Sequence, residues 1–136
     1  MSAAKTTTYV EGIGRRKTAS ARVRLTPASE TVITVNNKPV NEYFQNLSHQ
    51  KDIQSVLDTK DAGIENYTIS AHVIGGGISS QAEAIRLGIA RALVKEKAER
   101  RGPLKLLGFL MRDPRSVERK KFGLRKARKR PAWRKR

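Results

Sequence analysis

The sequence predicts an α+β fold of two layers, in which a four-stranded, mostly antiparallel sheet carries helices on one face and is followed by a long extended C-terminal tail. Three observations predict it. Residues 19–25 and 67–73 alternate apolar and polar side chains, residues 78–93 repeat apolar side chains at helical spacing, and residues 112–136 hold only Val117, Phe122, Leu124 and Trp133 as large apolar side chains.

Taken in chain order, Tyr9 to Gly14 reads as a first strand that turns through Arg15-Arg16-Lys17. In Ala19-Ser20-Ala21-Arg22-Val23-Arg24-Leu25, the side chains of Ala21, Val23 and Leu25 fall on one strand face and those of Ser20, Arg22 and Arg24 on the other. That strand buries one side and presents arginines on the other. Thr31 to Val35 forms a third strand, closed by the turn signal Asn36-Asn37, and these three strands are expected to pair antiparallel. Val40-Asn41-Glu42-Tyr43-Phe44 and Ile53-Gln54-Ser55-Val56-Leu57 predict one or two short helices within residues 40–60.

A fourth strand follows, because Tyr67, Ile69, Ala71 and Val73 alternate with Thr68, Ser70 and His72 before the chain turns at Gly75-Gly76-Gly77. Ser79 or Ser80 can then cap a helix whose Ile78, Ala82, Ile85, Ile89, Ala92 and Leu93 share one stripe. Leu87, Ala90 and Val94 fall near the opposite face, so a second layer, Pro103 to Phe109, is expected to cover part of it.

The tail cannot extend this core, since four large apolar side chains do not offset the entropy of ordering 25 residues. The expected organisation is a disordered N-terminus over residues 1–8, an α+β body over 9–111 and a basic tail over 112–136 that is disordered without a partner.

With 29 Lys plus Arg against 12 Asp plus Glu, the 136 residues carry a formal net charge of +17, which predicts a polyanionic partner. The charge is uneven. Residues 1–111 hold 16 basic and 10 acidic side chains, whereas residues 112–136 hold 13 and 2, and residues 30–65 reverse the sign with six acids against three bases. The acidic side is expected to face solvent or another protein. The absence of Cys excludes disulfides and thiolate zinc sites. No signal-peptide or membrane-spanning run is evident, so a cytoplasmic protein with no membrane partner is expected.

Two basic groups are the candidate binding residues. In the tail, Arg112, Arg115, Arg119, Lys120, Lys121, Arg125, Lys126, Arg128, Lys129 and Arg130 are interleaved with Phe122 and lead to Trp133, Arg134, Lys135 and Arg136. Arginine forks grip phosphates bidentately and stack on bases, and aromatic rings stack on unpaired bases. No alternation or heptad organises the tail, so it is expected to recognise RNA backbone shape and not base sequence. A solvated tail or a localisation signal is the alternative. The second group is Arg15, Arg16 and Lys17 with Arg22 and Arg24, placed at a hairpin end and along an open sheet face; an ordinary wet strand face is its alternative.

Gly75-Gly76-Gly77-Ile78-Ser79-Ser80-Gln81 joins a strand to a helix, where free N–H groups and the helix dipole can hold a phosphate. It lacks the Gly-Lys-Ser/Thr ending of a P-loop. Gly12-Ile13-Gly14 has no third glycine and is no dinucleotide fingerprint. His49 and His72 lie far apart with no carboxylate pair or Cys nearby, so neither metal binding nor acid–base catalysis is expected, and no cofactor.

Gly14-Arg15-Arg16-Lys17-Thr18-Ala19-Ser20-Ala21-Arg22-Val23, Gly75-Gly76-Gly77-Ile78-Ser79, Gln81-Ala82, Ala84-Ile85-Arg86, Gly88-Ile89-Ala90-Arg91-Ala92-Leu93 and Arg112-Asp113 through Lys126-Ala127-Arg128 together resemble the family of bacterial small-subunit ribosomal protein nine. The resemblance runs from about Tyr9 to Arg136. It implies the two-layer fold with its tail, a left-handed β-α-β crossover against the usual rule, and a place in the head of the small subunit. The implied partners are the small-subunit ribosomal RNA, neighbouring ribosomal proteins of the head and the tRNA in the peptidyl site, whose anticodon stem-loop the last residues touch.

Carried over by position, Lys135 and Arg136 match the family's basic ending, and Trp133 stands where the family has Phe. Ala132 replaces a usual Gln, Arg134 a usual Ser and Ser80 a usual Gly. The expected function is therefore structural RNA binding without enzymatic activity. A nucleoid-type DNA-binding protein is the alternative, since backbone electrostatics do not separate RNA from DNA. A small-molecule kinase on a related fold would need a longer chain and catalytic acids near the glycine loop.

Overall fold

The computed structural model describes residues 8–133, so the proposed N-terminal segment lies, but for Thr8, outside the described residues. Strand β1 (Val10–Arg16) pairs antiparallel with β2 (Ala19–Pro27) from Val10 opposite Leu25 to Arg16 opposite Ala19. The turn between them is Lys17-Thr18, with Lys17 at φ +51°, so the strand continues through Arg15 and Arg16 where a turn is expected from the sequence.

Strand β3 (Val32–Val35) does not join this hairpin. It turns at Asn36-Asn37, both at positive φ, into the two-residue strand β4 (Lys38–Pro39). Asparagine tolerates that left-handed geometry. Pro39, with no N–H to donate, is the last residue of β4. Helices α1 (Val40–Tyr43) and α2 (Leu47–Leu57) follow, the second capped by the Asn46 side chain accepting the Ser48 N–H at 2.9 Å. After a 3₁₀ turn at Lys60–Ala62, β5 (Tyr67–Ile74) runs between β2, antiparallel, and β3, parallel.

The sheet is therefore mixed and five-stranded, in the order β1-β2-β5-β3-β4, where four mostly antiparallel strands are expected. The α+β class stands. The difference arises because β5 takes the free edge of β2 and leaves β3 to pair in parallel across a helical connection, as parallel neighbours require.

The expected alternation holds in β2 and β5: Ala21, Val23, Leu25, Tyr67, Ile69, Ala71 and Val73 are buried, while Arg22, Thr68, Ser70 and His72 are exposed. Their inward face meets α3 (Ile78–Glu96) through Ile85, Ile89 and Leu93, and Phe44, Ile53 and Val56 complete the core. Each fully buried aliphatic side chain contributes about 1.5–3 kcal/mol. The N-cap of α3 is Gly77, with no side-chain cap bond, and Ser79 and Ser80 lie inside the helix; Ile78 at its start is exposed. A short helix α4 (Arg101–Leu106) buries Leu104 against the two 3₁₀ turns, at Lys60–Ala62 and Ala98–Arg100, while the helix packed on α3 is α2; of the segment expected to cover α3, only Phe109, followed by Leu110, adds to the core beside it.

Helix α3 lies on β1 almost backbone to backbone. A Cβ on Gly14 would sit 1.8 Å from the Ala84 carbonyl oxygen, one on Gly12 2.4 Å from that of Gly88, and one on Gly88 2.7 Å from a Val23 methyl. No side chain fits at these three positions. Gly14→Ala is expected to cost more than about 3 kcal/mol, measured by chemical denaturation; a loss under about 1 kcal/mol would show that the helix can shift freely.

Candidate nucleic-acid interface

The open face of the sheet carries the side chains that α3 does not cover. Ile13 stands opposite Arg22, which stands opposite His72, and Glu11 opposite Arg24, which stands opposite Ser70. Arg15 and Arg22 are exposed on this face. Arg24 is held in place, its Nε donating to Glu11 at 3.1 Å and its guanidinium lying 4.5 Å from the centre of the Tyr9 ring. Lys17 is exposed at the hairpin tip.

Arg16 is the exception within the sequence-predicted cluster. It points from β1 to the helix side, where it is only 9% exposed, and its guanidinium is committed to protein groups. It donates to the Glu83 carboxylate of α3 and to the Arg115 carbonyl, and lies 3.5 Å from Asp113. A buried guanidinium is tolerated because these oxygens replace water. The geometry makes Arg16 a fastening for the chain as it leaves the body.

The tail root is tied down further. Arg112 Nη2 reaches the Lys17 carbonyl at 3.5 Å, and Asp113 accepts the Arg115 N–H at 3.0 Å together with its guanidinium at 2.8 Å. Arg86 lies 5.8 Å over the Phe109 ring, and Arg91 donates to the Ile13 carbonyl at 2.9 Å. The roles of Glu83 and Asp113 were not expected from the sequence. A usable signal existed in strand parity, since Gly12, Gly14 and Arg16 must share a face opposite Ile13 and Arg15.

From Arg112 to Trp133 the described chain has no helix or strand. It is not straight: Gly123 has φ +74°, Leu124 donates to the Lys121 carbonyl and Arg125 to that of Lys129, so the expected extended tail bends at 121–129. Phe122 is 99% and Trp133 90% exposed. Glu118 pairs with Lys121 and with Arg128, the latter at 2.9 Å. Arg119, Lys120, Arg125, Lys126, Lys129 and Arg130 are exposed and have no acidic partner among the described residues. Arg134, Lys135 and Arg136 lie outside the described residues.

The glycine turn is folded against the hairpin. Gly75 and Gly76 have φ +76° and +66°, and a Cβ on Gly75 would meet the Thr18 carbonyl at 2.6 Å. Gln81 donates back to the Gly75 carbonyl at 3.0 Å. Away from all of these, Arg100 is buried and donates to the Tyr67 hydroxyl at 2.9 Å and to Glu96 at 3.0 Å, a packing role. Burial, with the hydrogen bond to Glu96, raises the Tyr67 phenol above its ordinary value.

An open sheet face bearing Arg15 and Arg22 and an exposed cationic tail sit on one small α+β body, a charge distribution of the kind found in proteins that assemble with polyanions. A profile of the family described as ribosomal protein S9/S16 matches residues 14–136, and the chain belongs to that family. It is a ribosomal protein and not an enzyme. It is 50% identical over 127 residues to the small ribosomal subunit protein uS9 of Mycobacterium bovis (93% of this chain, 83% of that one). It is 51% identical over 127 residues to that of Crocosphaera subtropica (92% and 90%) and 50% identical over 130 residues to that of a Synechococcus species (92% and 91%).

Arg16→Met keeps the apolar stem and removes the charge. It is expected to lower stability by about 1–3 kcal/mol, less than for a fully buried pair because both carboxylates reach solvent, and to speed tryptic cleavage at Arg115 and Arg119. Arg15→Met should change neither, and equal effects from both would contradict the assignment.

Asp113 supplies a pH test. The Arg115 guanidinium, then the Arg115 N–H, and least of all Arg16, hold its carboxyl well below the usual 3.8. A folded-state value depressed in this way contributes stability above the unfolded value and loses it only as pH falls through the folded one. The Asp113 carboxyl carbon signal should therefore stay unshifted down to about pH 3. A midpoint near 3.8 would mean that the Asp113–Arg115 contact does not form.

Proposed function

We propose that this ribosomal protein is a structural constituent of the small subunit in the cytoplasm, bound to the ribosomal RNA of the subunit head beside neighbouring ribosomal proteins. Arg15, Lys17, Arg22 and Arg24 contact RNA from the hairpin and open sheet face, and the tail from Arg112 to Arg130 runs along RNA backbone. Its last residues, Trp133 with Arg134, Lys135 and Arg136, meet the tRNA of the peptidyl site. That last step rests on the family resemblance of the basic ending.

One observation carries the RNA reading. Of the ten basic side chains from Arg112 to Arg130, only Arg115, Lys121 and Arg128 pair with a carboxylate among the described residues, and all ten are exposed. Such a strip repels itself and is neutralised favourably on phosphates, where condensed counterions are released. Bends instead of regular structure suit a path set by folded RNA.

Salt dependence separates ligands from fastenings. Each phosphate contact contributes about 0.7–0.9 to the slope of log affinity against log salt. Replacing Arg125, Lys126, Lys129 and Arg130 by Gln should flatten the slope for small-subunit RNA fragments by about 3, whereas Arg16→Met should leave it unchanged. An unchanged slope in the fourfold variant removes the tail from the interface. Removing Arg134 to Arg136 should leave entry into the subunit intact while weakening retention of peptidyl-site tRNA, measured by filter binding on reconstituted subunits. Equal loss of both would contradict the division between threading and contact.

A further inference from the structure

The sheet edge farthest from the basic hairpin is incomplete. β4 covers β3 only at Thr34 and Val35, so the outer edge of β3 at Val32 and Ile33, just after Thr31, has no strand beside it. Beside that open stretch lies a groove of about 600 Å³, walled by Val32, Ile33, Val40, Leu57 and Ile64, with Asp58 and Glu65 among its lining residues. Val32 is 49% exposed there. An unpaired strand edge is a template for another extended chain, and the pockets alongside select its alternate side chains.

Charge selects the occupant. Residues 30–65, which supply both walls, carry six acids against three bases in a chain of net +17. Glu65 is drawn towards Lys97 at 3.0 Å, and that pair is exposed; Asp58 makes no ion pair among the described residues. Phosphate backbone is repelled from such a rim, and a cationic chain is drawn to it. The protein's own tail is rooted at the β1–β2 hairpin, on the opposite side of the sheet order.

We infer that this groove receives an extended segment of a neighbouring protein, alternating basic and apolar residues, which adds as a strand alongside Thr31 and the start of β3 at Val32 and Ile33. The inference rests on the proposed place of the chain in the subunit, and names the face by which it meets a protein instead of RNA. Basic side chains of the segment face Asp58 and Glu65, and its apolar side chains enter between Val32, Leu57 and Ile64.

The full chain carrying a photoreactive benzoylphenylalanine at Val32 is assembled into small subunits and irradiated. The expected product is an adduct with another protein, mapped by mass spectrometry to a Lys/Arg-rich extended segment. Its yield should drop at least fivefold when Asp58→Lys is added. An adduct with RNA, an adduct with a second copy of this chain, or none from subunits that contain the labelled chain overturns the inference. Exclusion of the chain from subunits would instead count against the proposed function.

A second measurement uses the isolated, isotopically labelled chain and a blocked synthetic peptide alternating Lys and Val. The expected shifts fall at Thr31–Ile33, Leu57–Asp58 and Ile64–Asn66, are weakened at least tenfold by Asp58→Lys, and are absent with a Glu–Val peptide. Shifts elsewhere only, or equal shifts with the acidic peptide, sink the idea.

Discussion

Helix α3 sits against β1 with no side chain between the two backbones, and the rest of the molecule is arranged around that contact. Gly12 and Gly14 on the strand face Ala84, Gly88 and Ala92 on the helix, and any added Cβ collides with backbone or a Val23 methyl. Glycine and alanine give up apolar area to make this approach possible. The area is recovered next to β1, where Ile85, Ile89 and Leu93 join the larger side chains of β2 and β5 in one core. The helix thereby sets its small residues against β1 and its large ones in the shared core.

That closeness brings Glu83 within reach of Arg16, the last residue of β1 and the next inward-facing position after Gly14. A longer strand–helix distance would leave the arginine buried without its carboxylate. With Glu83 in place, the guanidinium has donors to spare for the Arg115 carbonyl and for Asp113. The tail leaves the body at a defined point beside the hairpin tip. Electrostatics divides the surface accordingly, with cations on the hairpin, open sheet face and tail and the acidic residues 30–65 supplying the far edge. A tail launched from the cationic end adds its charge to that of the hairpin, so one polyanionic surface can neutralise both.

Much of this was legible in the sequence where burial is one-sided. Strands β2 and β5 were readable because each alternates over at least six residues, and α3 because its apolar repeat spans more than four turns. The cationic tail needed only counting. Arg16 was misplaced because the inward face of β1 is made of glycines, which give no apolar signal, so Arg15-Arg16-Lys17 looked like a turn. The partner of β3 was also hidden: a four-residue strand does not state which neighbour it joins, and β5, more than thirty residues later, decides it. The cap of α3 fell to Gly77 and not to a serine, because the glycine turn is folded tightly onto Thr18 and Ala19. Glu83 and Asp113 could not be paired with Arg16 until the strand–helix distance was known.

The direction in which the cationic tail leaves the body is set by its fastened root, through Arg16 and Lys17. Backbone ¹⁵N relaxation along residues 107–133 of the free, full-length chain measures this directly. Heteronuclear NOE values should stay at the level of the body through Arg115 and fall beyond Ser116, where the ties to Arg16 and Lys17 end. A fall that begins before Arg112 would contradict it, since the tail would then leave the body with no fixed direction.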